Sequence, residues 1–572
     1  MAQRPPAGTG AENLLWAAHL VDALVAAGVT RVVISPGSRS TPLALAWLRH
    51  PAARSFIEVD ERSAAFFALG LSRGSGEPAA LVSTSGSAPA HWWPAVIEAD
   101  RSATPLLLLS ADRPPELQDC GANQTVDQVK LFGGAVRAFH QTGDVDCAPE
   151  RVRWLRWLAQ RAADQARFPL PGPVHLNIAF REPLLPEGPA PALPQAGEPG
   201  LRVSCGTLAP DPRAVEEVEA QISGGAGLIV CGPHSGGARF APAVAQLARG
   251  LGAPIFADPL SGLRFGPHER ARVLARYDAF LRGPADGLPA PEWVIRFGAA
   301  PVSKSLNQWL ARLEVPQVLV AGHGAWLDPV HRATQVLHAD AAATCAALVA
   351  AGLEPAPPEW FAGLEARERR AARAAEAAPP AEPLYEAEVF RALIEALPEG
   401  TRLFAGNSMV IRDLDSFSGT SPKALEILGN RGASGIDGNI STVLGLAAAG
   451  GAPVAGVIGD LALLHNLAGL HAARGLDALL VVLNNGGGGI FGYLPQAGLP
   501  EFERGWLTPA NLDIGRAAAL FGVEHHRAAT GRELDSALAA LLPARGVRLL
   551  EVVLDREASL RRHRAYWAAA VD

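Results

Sequence analysis

Apolar positions along this chain alternate between two patterns. Stretches with apolar residues three and four apart, such as LLWAAHLVDALVAAG and AEVFRALIEALPEG, predict helices. Short apolar, largely β-branched or Leu-rich runs predict strands buried on both faces: PAALVST, TPLLLLSA, GPVHLNIA, PQVLVAG, PVAGVIG and ALLVVLNN. One unit recurs three times as helix, strand and Gly/Ser turn. It reads LLWAAHLVDALVAAG, TRVVIS, PGSRS, then AVEEVEAQISGG, GLIV, CGPHSGG, then AEVFRALIEALPEG, TRLFA, GNS. Its strands end near Ile34, Val230 and Ala405. The expected fold is α/β, with three doubly wound parallel-sheet domains.

Two stretches break this rhythm. Pro183 to Gly200, PLLPEGPAPALPQAGEPG, reads as an irregular linker. Glu365 to Pro383, EARERRAARAAEAAPPAEP, reads as a solvated charged helix that its prolines end. The expected domains are therefore 1–185, 200–355 and 384–572. Residues 1–28 break their apolar run with Glu12, His19 and Asp22, which predicts an amphipathic helix and not a signal peptide. The uncharged run Asn439 to Gly459 contains Pro453 and several glycines, so helix, turn and strand are expected there, not a membrane span.

Composition removes other classes. With 49% hydrophobic and 19% charged residues, the chain can bury large cores and is not disordered. A net charge of −7 gives no support to nucleic-acid binding. Five scattered cysteines without a CxxC pair fit a reducing cytoplasm. Neither nucleic acid nor membrane is an expected partner. GxSxG, P-loop and HExxH motifs are absent. His140, His465 and His471 read as isolated structural histidines, and Cys120 as packing.

In parallel α/β sheets, ligands sit beyond the carboxyl ends of the strands. PVAGVIGDLALLHNLAGLHAARGLDALLVVLNNGGGGIF reads there as strand, Gly459-Asp460, helix, strand, then Asn484-Asn485 and four glycines. Neighbouring parallel strands would bring Asp460 and Asn485 to one sheet edge as oxygen ligands suited to Mg²⁺. The helix N-terminus would favour a phosphate, and the glycines would let backbone approach it. Taken separately, Asp460 could simply cap a helix and Asn484-Asn485-Gly486 could form a turn. A second stretch, FIEVDERSAAFFALG, sets Asp60 and Glu61 among apolar side chains, with Arg62 as the nearest positive charge. Either the pair begins a helix, or one carboxylate is held for proton transfer. Arg39, Arg113, Lys304, Arg412 and Arg431 each follow a predicted strand, and such cations suit carboxylate substrates.

The GD…NN spacing resembles the signature of thiamine-diphosphate enzymes, with Leu461 where that signature usually has Gly. ISPGSRSTPLALA, VDERSAAFFALGLSRGSG, STSGSAPA, SADRPPELQDCGANQ, RFGAAPVSKSLNQW, GNSMVIRDLD, GNRGASGIDG and GDLALLHNLAGL follow in this order. Together they resemble the 2-succinyl-5-enolpyruvyl-6-hydroxy-3-cyclohexene-1-carboxylate synthase family of menaquinone biosynthesis, from about Ala11 to about Val553. The resemblance implies thiamine diphosphate as cofactor and Mg²⁺ or Mn²⁺ held by Asp460, Asn485 and the Gly487 carbonyl. Ser85, Gly86, Ser434, Gly435, Gly459, Leu461, Ile490 and Phe491 would line the cofactor pocket. Ile436 would bend the cofactor, and Glu61 would touch its aminopyrimidine ring as the catalytic acid–base. Ser38, Arg39, Arg113, Gln124, Lys304, Ser408, Arg412 and Arg431 would bind substrate.

The implied reaction is decarboxylation of 2-oxoglutarate followed by conjugate addition of the succinyl unit to isochorismate. The implied assembly is a homodimer, or a dimer of dimers, with active sites at the subunit interface. Two departures stand out. Gly486 to Gly489 occupies a stretch where relatives often carry Asn and Gln, and Ser305 stands where some have Arg. Another thiamine-diphosphate lyase or carboligase would need fewer cations for a small monocarboxylate. A non-catalytic binding protein would have no need of Glu61, Asp460 and Asn485 together.

Overall fold

The computed structural model of the chain describes residues 8–195, 201–283, 288–376 and 383–571. It contains three six-stranded sheets, every pairing in them parallel. The first comprises β1 (Arg31–Ile34), β2 (Arg54–Ile57), β3 (Ala79–Ser83), β4 (Leu106–Asp112), β5 (Ala138–Gln141) and β6 (Pro173–Ala179), in the order β2-β1-β3-β4-β6-β5. The second comprises β7 (Gly227–Cys231), β8 (Ile255–Ala257), β9 (Val273–Leu274), β10 (Trp293–Phe297), β11 (Gln317–Val320) and β12 (Gln335–Leu337), in the order β12-β11-β10-β7-β8-β9. The third comprises β13 (Arg402–Ala405), β14 (Glu426–Leu428), β15 (Val454–Gly459), β16 (Ala478–Asn484), β17 (Glu524–Ala528) and β18 (Val547–Val553), in the order β14-β13-β15-β16-β18-β17.

The apolar runs become the buried central strands because helices cover both faces. In β4 all seven residues are buried, and so are all seven of β6. Each order has a central reversal, between β1 and β3, between β7 and β10, and between β13 and β15. Such reversals open the crevice in which α/β folds bind ligands. PGSRS and STSG leave β1 and β3 at the first reversal; GNS and Gly459-Asp460 leave β13 and β15 at the third.

The chain packs as two compact units. One is Met1–Cys205, Asn430–Gly451 and His465–Leu476; the other is Gly206–Gly429, Ala452–Leu464 and Asp477–Asp572. In the first unit, the Glu61–Ser75 and Asn439–Ala449 helices cross at two glycines. A Cβ on Gly70 would lie 2.1 Å from the Thr442 carbonyl oxygen, and one on Gly445 would lie 2.1 Å from that of Phe67.

Two expectations are corrected. The Thr9–Ala26 helix is buried on almost every side instead of being amphipathic. Its Asp22 is buried too, satisfied by Arg156 at 2.6 Å and His50 at 3.3 Å. The charged helix spans Pro358–Glu376 and is not simply solvated. It buries Trp360 and Leu364, and Glu368 accepts the backbone amides of Ala275 and Arg276. The prolines expected to end it, Pro379 and Pro380, lie outside the described residues, as does the 196–200 end of the first linker. All five cysteines are free thiols. Among the described residues, no helix is long and apolar enough to cross a membrane.

Candidate functional site

In the first unit, the loops after β1, β3 and β4 converge. Gly37 lies so close to Thr84 that a Cβ there would sit 2.3 Å from the threonine Cβ, which brings PGSRS against STSG. Arg113 donates from Nη1 to Ser85 Oγ, which itself donates to the Gln124 carbonyl. Gln124 Nε2 returns a bond to the Ser85 carbonyl at 3.1 Å. Gly86, at φ 83°, leaves room for the Gln124 side chain. Arg39 is buried and donates to the Phe180 carbonyl at 2.9 Å and to Glu182 at 2.7 Å. Burial first, and then neighbouring Arg39, pull the Arg113 pKa below the usual arginine value. Ser38 is exposed beside Arg39. Ser38, Arg39, Ser85, Gly86, Arg113 and Gln124 thus gather at one set of strand ends.

Behind them lies a network that sequence reasoning missed. Gln128 accepts the Gly86 amide and donates to Asn177, which donates to Asp112 at 2.7 Å. Asp112 accepts the Arg113 amide, and burial pushes its carboxyl up. One signal was present: Asn177 interrupts an otherwise apolar strand run, and a buried polar group needs a partner.

The structure separates the two adjacent carboxylates. Asp60 caps the Glu61–Ser75 helix, accepting the Arg62 amide at 3.0 Å and the Ser63 hydroxyl at 2.9 Å. That bond is worth about 1 kcal/mol. Glu61, at the first helical position, is half-buried, and among the described residues its carboxylate has no hydrogen-bond partner. Three residues earlier, buried Glu58 lies 3.7 Å from His471, so His471 is not isolated; burial pushes the Glu58 carboxyl up. His140 likewise has a partner, in Gln165 at 2.8 Å.

The loop carrying Arg431, Ser434, Gly435 and Ile436 is tied down by Glu98. Its carboxylate accepts the amides of Gly432 at 2.9 Å and Ala433 at 2.7 Å, and it pairs with Arg73. Arg73 also donates to Asn430. Ser434 sits at φ 63°, and Ile436 is half-buried instead of joining the core. Beside the loop is a mainly apolar cavity of about 490 Å³, lined by Phe66, Trp93, Ile97, Glu98, Ala433 and Gly435 among others.

In the second unit, adjacent β15 and β16 end in Gly459-Asp460 and Asn484-Asn485. Asp460 is buried and accepts the Leu461 amide at 2.9 Å, and the nearby Gly487 and Gly486 amides also favour its charged form. Burial outweighs these influences and pushes its carboxyl up to about 6. The two asparagines part company. Asn484 donates to Glu551 at 2.7 Å and accepts the Gly486 amide, whereas the buried Oδ1 of Asn485 has no partner among the described residues. A buried carboxylate and an orphaned amide oxygen at one strand edge form a donor set suited to a hard divalent cation. The glycine run is a packing requirement. A Cβ on Gly487 would lie 2.3 Å from the Leu507 carbonyl oxygen, and one on Gly489 would lie 2.5 Å from Asn485 Nδ2. Leu461, Ile490 and Phe491 are half-buried around this edge.

After β13, Ser408 adopts φ 68° and the Met409–Phe417 helix begins. Arg412 folds back to donate to the Ser408 carbonyl at 2.5 Å. Lys304 is exposed at the start of the Lys304–Arg312 helix, whose Ser303 cap is held by Asp278 at 2.6 Å. Ser305 is half-buried in the same turn.

Comparison with known proteins matches this layout. Residues 16–131 match the family described as thiamine pyrophosphate enzyme, N-terminal TPP binding domain; 214–405 match the middle domain of thiamine pyrophosphate; 420–552 match the C-terminal TPP binding domain. Fold and site together define a three-domain thiamine-diphosphate enzyme. A 2-succinyl-5-enolpyruvyl-6-hydroxy-3-cyclohexene-1-carboxylate synthase of Dechloromonas aromatica is 46% identical over 95% of this chain and 99% of its own length. Synthases of the same name from Halobacterium salinarum, covering 96% of this chain, and Geobacillus kaustophilus, covering 97%, are each 43% identical, with 97% of each relative matched. The chain belongs to the 2-succinyl-5-enolpyruvyl-6-hydroxy-3-cyclohexene-1-carboxylate synthase family.

Proposed function

We propose that this chain joins 2-oxoglutarate to isochorismate with loss of CO₂, giving 2-succinyl-5-enolpyruvyl-6-hydroxy-3-cyclohexene-1-carboxylate for menaquinone biosynthesis. The observation that carries this is Asp460 beside the orphaned Asn485 oxygen, at the carboxyl ends of two neighbouring strands, in a chain of this family. Thiamine diphosphate supplies the carbanion chemistry that releases CO₂ and delivers the succinyl unit. Asp460, Asn485 and the Gly487 carbonyl would hold Mg²⁺, or Mn²⁺, for its diphosphate. Gly459, Leu461, Ile490 and Phe491 border that end, while Ser85, Gly86, Ser434, Gly435 and Ile436 border the rest. Glu61, uncommitted to any hydrogen bond, moves the proton at the aminopyrimidine ring.

Both substrates are dicarboxylates. Arg39 and Arg113 form one cationic locus with Ser38 and Gln124, and Arg412 forms another with Ser408. Lys304 and Arg431 supply two further charges. Purified protein incubated with thiamine diphosphate, Mg²⁺, 2-oxoglutarate and isochorismate is expected to consume isochorismate in step with CO₂ release. Decarboxylation without isochorismate loss would favour another lyase, and neither event would favour a binding protein.

A homodimer, or a dimer of dimers, with sites at the subunit interface completes the reading. Glu61→Gln and Asp460→Ala proteins should each be inactive. Mixed under subunit exchange verified by mass spectrometry, they should regain about a quarter of the sites by two-fold symmetry. Verified hybrids without activity would sink the shared site.

A further inference from the structure

The Met409–Phe417 helix carries two acidic side chains that the reaction does not use, Asp413 and Asp415, and both are fully buried. Two residues apart, they leave the helix about 200° from one another, so they face opposite flanks. On one flank, Asp413 meets His563 of the Arg556–Val571 helix at 3.0 Å. His563 is 1% exposed, and its Nδ1 lies 2.9 Å from the Ser559 carbonyl, which can only accept. Nδ1 therefore carries a hydrogen, and the second proton is shared between Nε2 and Asp413. On the other flank, Asp415 meets Arg264, which is 0% exposed. Arg264 also donates to the Asp415 backbone carbonyl and to the Ala257 carbonyl, each at 2.7 Å.

Buried ion pairs contribute little net stability, because desolvation offsets their attraction. They are better at penalising wrong arrangements. Any rotation of this helix would leave an uncompensated charge in the core on both flanks. The helix has little else to fix its start. It has no side-chain N-cap bond, and Ser408 sits in the left-handed region. Such backbone persists only where surroundings hold it.

We infer that Asp413 with His563, and Asp415 with Arg264, are positioning residues that fix the rotation of this helix and thereby aim Ser408 and Arg412 at a substrate carboxylate. The inference rests on the substrate role proposed for Arg412.

The His563 flank also brings a pH dependence. His563 faces Asp413, Glu386 through Ser559, and the rings of Tyr385 and Tyr493; Arg562 lies over Tyr385, and Arg412 neighbours Asp413. Burial pulls the imidazole down, but the Asp413 hydrogen bond and the charges of Asp413 and Glu386 outweigh it and hold it above the ordinary value. The charged clamp is thus present below this raised value and lost as pH rises through it.

The test measures kcat, KM for both substrates, and calorimetric affinity for thiamine diphosphate with Mg²⁺, across pH. Arg412→Ala should raise KM for at least one substrate. His563→Gln should raise KM for that same substrate roughly tenfold, the scale of a small misplacement, with cofactor affinity unchanged. The parent enzyme is expected to show a KM that rises with pH, and His563→Gln should abolish that rise. Should His563→Gln fail to fold, Arg264→Lys on the opposite flank carries the same KM expectation. A folded clamp variant with parental KM, beside an impaired Arg412→Ala, would overturn the clamp alone. A parental KM in Arg412→Ala would overturn the substrate role and the clamp with it.

Discussion

Two helices in this chain begin just beyond a parallel strand, and each is associated with two acidic residues: Asp60 and Glu61 at the start of one, Asp413 and Asp415 along the other. They are held in place in different ways. The Glu61–Ser75 helix is set by its neighbours in sequence. Asp60 caps it, Gly76 in the left-handed region ends it, and Glu61 is left uncommitted at the first turn. The Met409–Phe417 helix has no such local device. It is gripped through Asp413 and Asp415 by His563 and Arg264, 150 and 151 residues away in the chain. A local cap can place a carboxylate such as Glu61, the proposed acid–base, where that group needs only one side chain's reach. The substrate fork proposed for Arg412 depends on the rotation of its whole helix, and rotation is fixed only by contacts on its flanks.

This contrast can be broken at several points. The largest effect is expected at the uncommitted carboxylate. Glu61→Gln should lower turnover by roughly 10²–10⁴-fold while calorimetry shows cofactor binding retained. If Asp60→Asn abolishes turnover and Glu61→Gln is nearly silent, the roles of the two carboxylates are reversed. Arg264→Ala should lower stability by about 3–5 kcal/mol, because Asp415 would stay buried and unpaired. Thermal or urea unfolding measures this directly, and an unchanged midpoint would mean that the helix does not depend on its flank. Asp460→Ala should weaken Mg²⁺-dependent binding of thiamine diphosphate by about 100-fold or more, since loss of groups that merely support a metal ligand already costs about 10–100-fold. Unchanged affinity on titration would leave Asp460 a helix residue only. The smallest effect belongs to the local device. Asp60→Ala should cost about 1 kcal/mol, read as a small drop in the unfolding midpoint with turnover largely kept.

Much of the candidate site is legible in the chain because its groups follow strands. Asp460, Asn485, Arg39, Arg113 and Arg412 each occur just after an apolar run, and such runs end at the ligand-binding edge of a parallel sheet. The supporting groups left fainter traces. Glu98 and Arg73 lie within helices, and nothing about their spacing announces that Glu98 will hold the Gly432 and Ala433 amides. His175 and Asn177 interrupt an apolar strand, which marks them as polar residues needing partners but does not name those partners. Glu58 and His471 lie far apart in sequence and meet only in the folded unit. The first helix differs from its amphipathic expectation for the same reason. Asp22 reads as a solvent-facing acid until Arg156 and His50 are seen to satisfy it in the interior.

The sequence by itself determined what depends on periodicity and near neighbours. Unbroken apolar runs made parallel strands, recurring helix–strand–turn units made three sheets, and Asp60 made a helix start. Glycines at 486–489 permitted a backbone that any Cβ at Gly487 or Gly489 would obstruct. Only the tertiary structure decided which of two like neighbours was left uncommitted. It tied Asn484 to Glu551 and left the Asn485 oxygen orphaned; it gave Asp60 the cap and left Glu61 without a partner. The physical reason is common to both cases. A polar group's role depends on whether something else already satisfies it, and for buried groups the satisfying partner usually comes from far along the chain.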